Sequence, residues 1–530
     1  MPPSIAEGPA DTPAPVTTTA RVPQRPAAIL TGVVIVLLAF LVYALSNPVH
    51  WNLYDHFVWQ ADAFLHGRAW ILFPVPPGGD LPENDYFRDV YPLLTPTGTP
   101  DGRALLPFPP LPALVLLPFV AAFGFRADQE WVAIALAAAG VGLAWWSLGA
   151  LRIRATVRLL ATVVFATGTT WWWAAAVGST WYLAHLVAAN AALLAVGVAL
   201  RHDPAASDAG DMAGAGDRAG AGDMPGAGVI GDAGELVDGG DIVDEEAGPE
   251  VDDLDPGSLI ARLWAATWPL DRSQVLAGLL LGIAVTARLP LILAAPWLVL
   301  VGGGGTRLRR TASAAVGGVV PVAALLLYTF ATTGSLVHPG YDYQYRLEVA
   351  GYPTLGYHAD WDVEDIRYVP QNLGIMLGEL PSVLPTVLPD TLQYEPPVTA
   401  CQAPGAERRL FDPTCPIAIP VDVGTSLVLS APGLLLALFA ARRYGRTRLA
   451  IGTVAAVLLI GVFNLAHFSQ GWVQWGYRFS LDFIPFLLPL VALGAARPRD
   501  GRPRLIAFAL LAAGGLINLW GVTWGQLLGW

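Results

Sequence analysis

A chain of 530 residues that is 54% hydrophobic and only 14% charged, with a mean hydropathy of +0.51, falls outside the soluble globular class, where about a quarter of residues are charged. Much of the acid behind the net charge of −12 lies in one insert, and no basic field points to nucleic acid. Many long apolar runs instead predict an all-α polytopic membrane protein.

Residues 1–26, rich in Pro, Ala and Thr with Arg21 and Arg25, read as a disordered cytoplasmic tail. The apolar run 27–46 is long enough for one span, which takes about 20 residues, and no small-residue cleavage site follows it, so it reads as a retained helix. Next comes NPVHWNLYDHFVWQADAFLHGRAWI, which sets Asp55 and Asp62 among Trp51, Tyr54, Trp59 and Trp70 just past a membrane exit. Such a stretch is either an interfacial amphipathic helix with aromatic anchors or the wall of a polar site at the bilayer surface. The whole segment 47–128 is a first large outer loop, and its Pro-rich apolar run 111–125 reads as a short interfacial helix or, alternatively, a full span.

Runs 131–151, 159–173 and 186–200 follow as spans, with LRIRATVR on the inside, the aromatic belt Trp171, Trp172 and Trp173 on the outside, and GSTWYLAH as an outer turn. Residues 203–257 carry a degenerate Ala-Gly-Asp repeat and then VDEEAGPEVDDLD. They predict a disordered acidic cytoplasmic insert, either inert or a tail for a partner.

Run 275–301 is interrupted by Arg288 and Pro290. As one helix it would bury Arg288 near mid-membrane and put the Arg307, Arg309 and Arg310 cluster outside, against both the cost of buried charge and the positive-inside rule. Two short arms with Arg288 at the outer turn avoid both. Run 311–332 leads to a second large outer loop, 335–422, with both cysteines. An outer compartment permits a Cys401–Cys415 disulfide, with free thiols as the alternative, and their spacing fits no zinc or CxxC pattern. Runs 426–441, 451–466, 483–496 and 505–527 complete a total of about eleven spans, with the N-terminus cytoplasmic, the C-terminus extracytoplasmic and every dense arginine cluster inside. The organisation is a tail (1–26), an N-terminal membrane region (27–202), the insert (203–257) and a C-terminal membrane region (258–530).

Polar, aromatic and ionisable residues therefore collect on the outer face. A transporter is expected to place paired charges or broken helices near the midplane, so this inventory favours an enzyme acting on a lipid-linked or surface substrate. Its alternative is a transporter or flippase of a lipid-linked substrate.

Four stretches, YDHFVWQADAFLHGR, LLPFPPLPALVLLPF, LAGLLLGIAVTARLPLILAAPWLVL and GWVQWGYRFSLDFIPFLLPL, together with the span layout, resemble the GT-C superfamily of polyprenyl-phosphate-dependent glycosyltransferases, near the protein O-mannosyltransferase and aminoarabinose-transferase branch. The resemblance covers most of the chain outside the tail and insert. It implies an inverting glycosyltransferase of the cell membrane, a polyprenyl-phosphate sugar donor among the membrane lipids, and a glycan, lipid or protein acceptor. It further implies an acidic residue early in the first outer loop that acts as base or holds a divalent metal, and the matching position is Asp55. Many members carry an Asp-Glu pair there, whereas Asp55 is followed by His56. Asp62, Asp85 or Asp89 stands in for the second carboxylate, or none is needed.

Glycosyl transfer needs a base within hydrogen-bond reach of the acceptor hydroxyl and cations on the departing phosphate. Arginine suits phosphate because its planar fork binds two oxygens. Arg478 is the first candidate, flanked by Tyr477 and oriented by Asp482, followed by Arg288 and Arg346; each is otherwise an interfacial anchor. His56 completes the expected substrate-binding set. His185, His338 and His467 are either helpers or plain polar residues.

Overall fold

The computed structural model describes residues 25–52, 54–75, 84, 87–204, 270–351, 358, 360–390, 396–471 and 473–530. Nearly all of the expected tail, the acidic insert beyond residue 204, and Asp85 lie outside them.

The apolar runs fold as helices. In the first half these are α1 (Arg25–Ser46), α2 (His56–Leu65), α3 (Leu111–Phe123), α4 (Gln129–Leu148), α5 (Ala155–Thr167), α6 (Trp171–Val177) and α7 (Thr180–His202). In the second half they are α8 (Arg272–Val285), α9 (Ala295–Leu300), α10 (Arg307–Thr333), α11 (Gly340–Gly351), α12 (Val369–Gly378), α13 (Leu436–Tyr444), α14 (Arg448–Ala466), α15 (Ile484–Ala495) and α16 (Leu505–Leu528). Six of them, α1, α4, α7, α10, α14 and α16, are long and apolar enough to cross a membrane, and the pair α5 and α6, bent by 46°, makes a seventh if taken as one span. The chain is an α-helical membrane protein.

The expected count of about eleven spans is not reached by length and composition among the described residues, and proline accounts for part of the difference. The run 426–441 breaks into a turn at Leu427–Ser430, a 3₁₀ segment at Pro432–Leu435 and α13. The residue before a proline is pushed out of the α region, and Ala431 sits at φ −138°, ψ 54°. Run 111–125 is short, as α3, with Pro118 inside it. Run 275–301 is two pieces: α8 ends at Val285, and a 3₁₀ turn, Leu289–Ala294, starts after Arg288 and leads into α9. The two-arm reading of this run matches that break.

Helix α7 is the buried centre, and α1 and α10 present mostly exposed apolar surface. Small residues bring α8 against α10: a Cβ on Gly317 would lie 1.9 Å from the Val275 carbonyl oxygen, so only glycine permits this approach. Tyr43 on α1 donates its hydroxyl to the Ala166 carbonyl at 2.9 Å, tying the first span to α5.

The described residues of the two segments expected as outer loops are structured. In the first, α2 buries His56, Phe57, Val58, Trp59, Gln60, Ala61 and Ala63, so it is a docked helix rather than one floating at the interface. Strands β1 (Ile71–Leu72), β2 (Tyr91–Leu94) and β3 (Pro100–Leu105) form an antiparallel sheet in the order β1-β3-β2. Trp59, Ile71, Phe87, Ala104 and Leu106 pack beneath it, which fixes Asp89 two residues before β2. In the second loop β4 (Ser382–Val383) pairs with β5 (Ala418–Ile419), and Cys401 and Cys415 are disulfide-bonded.

Candidate functional site

The site is built on the first turn of α7. Gly178, the residue after α6, has φ +60°, and a Cβ there would meet Glu130 Cα at 2.9 Å; a side chain would be both strained and blocked. The chain then turns through Ser179 into α7. The Thr180 amide donates to the Tyr54 carbonyl at 3.0 Å, and its hydroxyl also donates to that carbonyl. The His56 amide reaches the same hydroxyl oxygen at 3.1 Å, as does His56 Nδ1. These bonds fasten the start of α2 to the start of α7.

Trp181 is the hub. Its Nε1 donates to Asp89 Oδ2 at 2.6 Å. Its ring lies 4.9 Å from that of Tyr54 and 6.0 Å from that of His56, and the Arg478 guanidinium sits 5.6 Å from its centroid. Asp55 lies between Tyr54 and His56 in the chain. It occupies the cap position of α2 but makes no cap bond. Burial pushes its carboxyl up to about 7. Burial also raises Asp89, to about 6, with the Trp181 N–H and the Arg478 charge pulling the other way. Of these two carboxyls of raised pKa, Asp89 is the one bonded to the indole.

Arg478 is only 6% exposed, has no ion-pair partner among the described residues, and leaves its Nε without a hydrogen-bond partner. Burial lowers its pKa, while the Tyr182 hydroxyl and Asp89 work in the other direction. The guanidinium also lies 5.6 Å from the Tyr182 ring and 5.3 Å from the Phe479 ring. A desolvated cation so poorly countered is suited to an anion from outside the chain.

Asp482 does not orient Arg478, as expected from the sequence; it pairs with Arg288. The two residues bracket a 3₁₀ segment, Arg478–Asp482, in which side chains three apart eclipse and those four apart diverge. Asp482, 1% exposed, accepts from Arg288 Nη2 at 2.9 Å and Nε at 3.3 Å. It also meets His185 Nδ1 at 2.9 Å and Asn464 Nδ2 at 3.0 Å. Burial alone would raise the carboxyl, but Arg288 and His185 together hold it well below its ordinary range. Arg288 remains close enough to Arg478 for the two charges to repel, so the pair forms one electropositive corner.

Other expected residues lie apart. Asp62, seven residues further along α2, pairs with Arg68 at 3.2 Å and His66 at 3.4 Å, beside a separate cavity lined by Trp59, Ile71 and Phe125. Arg346 is exposed on α11 and pairs with Asp342 one turn away at 2.8 Å. Tyr477 is buried, with its ring 5.7 Å from that of Phe479. His56 stacks on Phe87 at 4.1 Å, and burial lowers it to about 3, so it is neutral. His338 Nδ1 accepts from the Gly340 amide at 3.0 Å, and His467 meets Glu364 at 3.2 Å. Among the described residues no three His, Cys, Asp or Glu side chains converge as a metal site requires.

A cavity of about 170 Å³ is lined by Arg478, Trp181, Tyr182 and Tyr54 and also by Asn47, Glu130, Gln526 and Trp530. Trp181 and Glu130 were not singled out from the sequence. Trp181 sits in the GSTWYLAH stretch, which reads simply as a turn after the aromatic belt, and an acid in the first turn of a helix is ordinarily explained by the helix dipole.

No protein family profile matches the chain, and no curated protein does. Among solved structures, the oligosaccharyltransferase of Archaeoglobus fulgidus in the apo form is similar to it, with a TM-score of 0.40 and 13% identity. The match covers 93% of this chain and 56% of that one, so the chain spans little more than half of that enzyme's length.

Proposed function

We propose that this protein is a membrane glycosyltransferase that moves a sugar from a polyprenyl-phosphate donor to an acceptor at the extracytoplasmic face of the cell membrane, with its N-terminus cytoplasmic. The observation that carries the reading is Arg478: a buried guanidinium without an ion-pair partner among the described residues, lining a cavity together with Trp181, whose indole holds Asp89, a carboxyl of raised pKa. A lipid-linked phosphate is the anion that a site at a membrane boundary meets. The GT-C resemblance of the sequence points the same way.

In this reading the phosphate lies on Arg478, with Arg288 behind it held in place by Asp482. Asp55 takes the proton of the acceptor hydroxyl. The acceptor oxygen bonds to the anomeric carbon as the bond from that carbon to the phosphate oxygen breaks. The phosphate leaves with the electron pair, and Arg478 stabilises the charge that develops on it. A single displacement of this kind inverts the anomeric centre. Asp89, tied to Trp181, keeps a negative charge near the guanidinium without forming an ion pair, so the cation stays available.

The test is incubation of the purified protein with a labelled polyprenyl-phosphate sugar and a panel of glycan, lipid and peptide acceptors. Label appearing on an acceptor is the expected outcome. Movement of the labelled lipid across liposomes with no transfer to any acceptor would instead make the protein a flippase.

A further inference from the structure

Where Asn47, Glu130 and Gln526 line the cavity, three distant segments meet in one polar network. Gln526 Nε2 donates to Asn47 Oδ1 at 2.9 Å. Asn47 Nδ2 donates to Glu130 Oε2 at 2.7 Å, and the Asn52 amide donates to Glu130 Oε1 at 2.6 Å. Glu130 is 5% exposed, yet each of its oxygens keeps a lone pair for a further donor. One polar atom at the cavity wall is buried with no partner, Gln526 Oε1. Native proteins rarely leave such atoms unsatisfied unless something else binds them.

The walls around this floor are aromatic. The Trp173 ring meets the Trp530 ring edge to face at 6.1 Å and 79°, and the Tyr182 ring at 6.4 Å and 77°. Trp51 also borders the cavity, half exposed. An acyl chain would fill such walls but offer nothing to the floor. A second anion would be repelled by Glu130. A pyranose ring satisfies both parts, since it has apolar C–H faces for the indoles and an equator of hydroxyls that can donate to Glu130 and Gln526.

We infer that this part of the cavity is a subsite for a neutral sugar ring, and that the acceptor of the transfer reaction is therefore a carbohydrate. The word acceptor rests on the transferase reading; the sugar subsite itself does not. The ring lies between Trp530 and the floor, and one of its hydroxyls points toward the donor phosphate on Arg478.

Saturation-transfer NMR on the full chain in lipid nanodiscs, with methyl mannoside, methyl glucoside and methyl galactoside as probes, tests the subsite without any donor. Saturation of the protein's aromatic protons is expected to pass to the ring C–H protons of at least one glycoside. Trp530→Ala weakens that binding about tenfold, the loss of one aromatic face, and Trp530→Phe restores most of it. Glu130→Gln weakens it by about as much, as for a hydrogen bond to a charged group, with an unchanged melting temperature confirming the fold. The exposed Arg346→Ala leaves it unaltered. No transfer to any of the three glycosides in the native protein overturns the inference, and so does binding that is equal in Trp530→Ala and the native protein. A native protein that binds a glycoside but never transfers label from the polyprenyl donor keeps the subsite and sinks the transferase reading alone.

Discussion

Trp181 donates its indole N–H to Asp89 at 2.6 Å while its ring face lies 5.6 Å from the Arg478 guanidinium. The indole thus touches both a carboxylate and a guanidinium that attract each other without forming an ion pair. The N–H bond favours the ionised form of Asp89, and burial disfavours it. Trp181→Phe keeps the ring and removes the bond, so Asp89 should rise above about 6 and the acid limb of the pH profile for kcat/KM should move to higher pH. An acid limb that stays in place would remove Asp89 from the working site.

Asp55 makes a prediction about stability that needs no substrate. Its folded carboxyl is raised by burial from 3.8 to about 7. The folded state therefore binds the proton more tightly than the unfolded chain. The resulting stabilisation is fully present below the unfolded value and is lost as pH rises through about 7. Asp55→Asn removes the buried charge, so its melting temperature should exceed that of the native protein above pH 7. The gap should close as the pH falls toward 4. A gap that does not change with pH would place Asp55 in water.

The Arg288 and Asp482 pair is expected to be structural as well as functional. Asp482 has four donor contacts from three residues, and removing one partner leaves the others without their anion. Asp482→Asn should cost about 3–5 kcal/mol, the range for breaking a buried pair, read as a loss in chemical or thermal unfolding. A change within about 0.5 kcal/mol, ordinary for a surface site, would show that the cluster is solvated.

The sequence made the helices legible because apolar length and proline position dominate local structure in a membrane protein. Val275 through Val301 is the clearest example, since Arg288 and Pro290 mark the break that ends α8 at Val285. Arg478 and Arg288 were legible as candidate phosphate-binding cations. The partner of Asp482 was not, because contacts of Arg288 and His185 with Asp482 span 194 and 297 residues. Asp55 and Asp62 look equivalent on one short stretch. Only the fold separates them, by giving Asp62 the side chain of Arg68 and leaving Asp55 without a cap bond. The sheet that carries Asp89 to Trp181 has strands of two to six residues, too short to register in a hydropathy pattern.

The sidedness proposed for the chain rests on its arginines. Single cysteines placed near residue 230 should react with an impermeant reagent only after cells are opened, while one placed near residue 97 should react in intact cells. The reverse pattern would invert the map and put Arg478 on the cytoplasmic face. Deleting 205–255 should leave fold and transfer intact, because that composition cannot build a core.

The central claim is that Asp55 takes the acceptor proton while Arg478 holds the donor phosphate. Its most direct test is the single-turnover rate of sugar transfer from a labelled polyprenyl-phosphate donor, measured across donor concentrations for Asp55→Asn and Arg478→Ala. Asp55→Asn is expected to reach half-saturation at the native donor concentration with a maximal rate lower by roughly 10²–10⁴, the range for an acid–base group. Arg478→Ala is expected to need more donor and to be slower at saturation, with Arg478→Lys recovering only part because a point charge does not replace the fork. A fully active Asp55→Asn, or an Arg478→Ala with native donor dependence and native rate, would contradict the account.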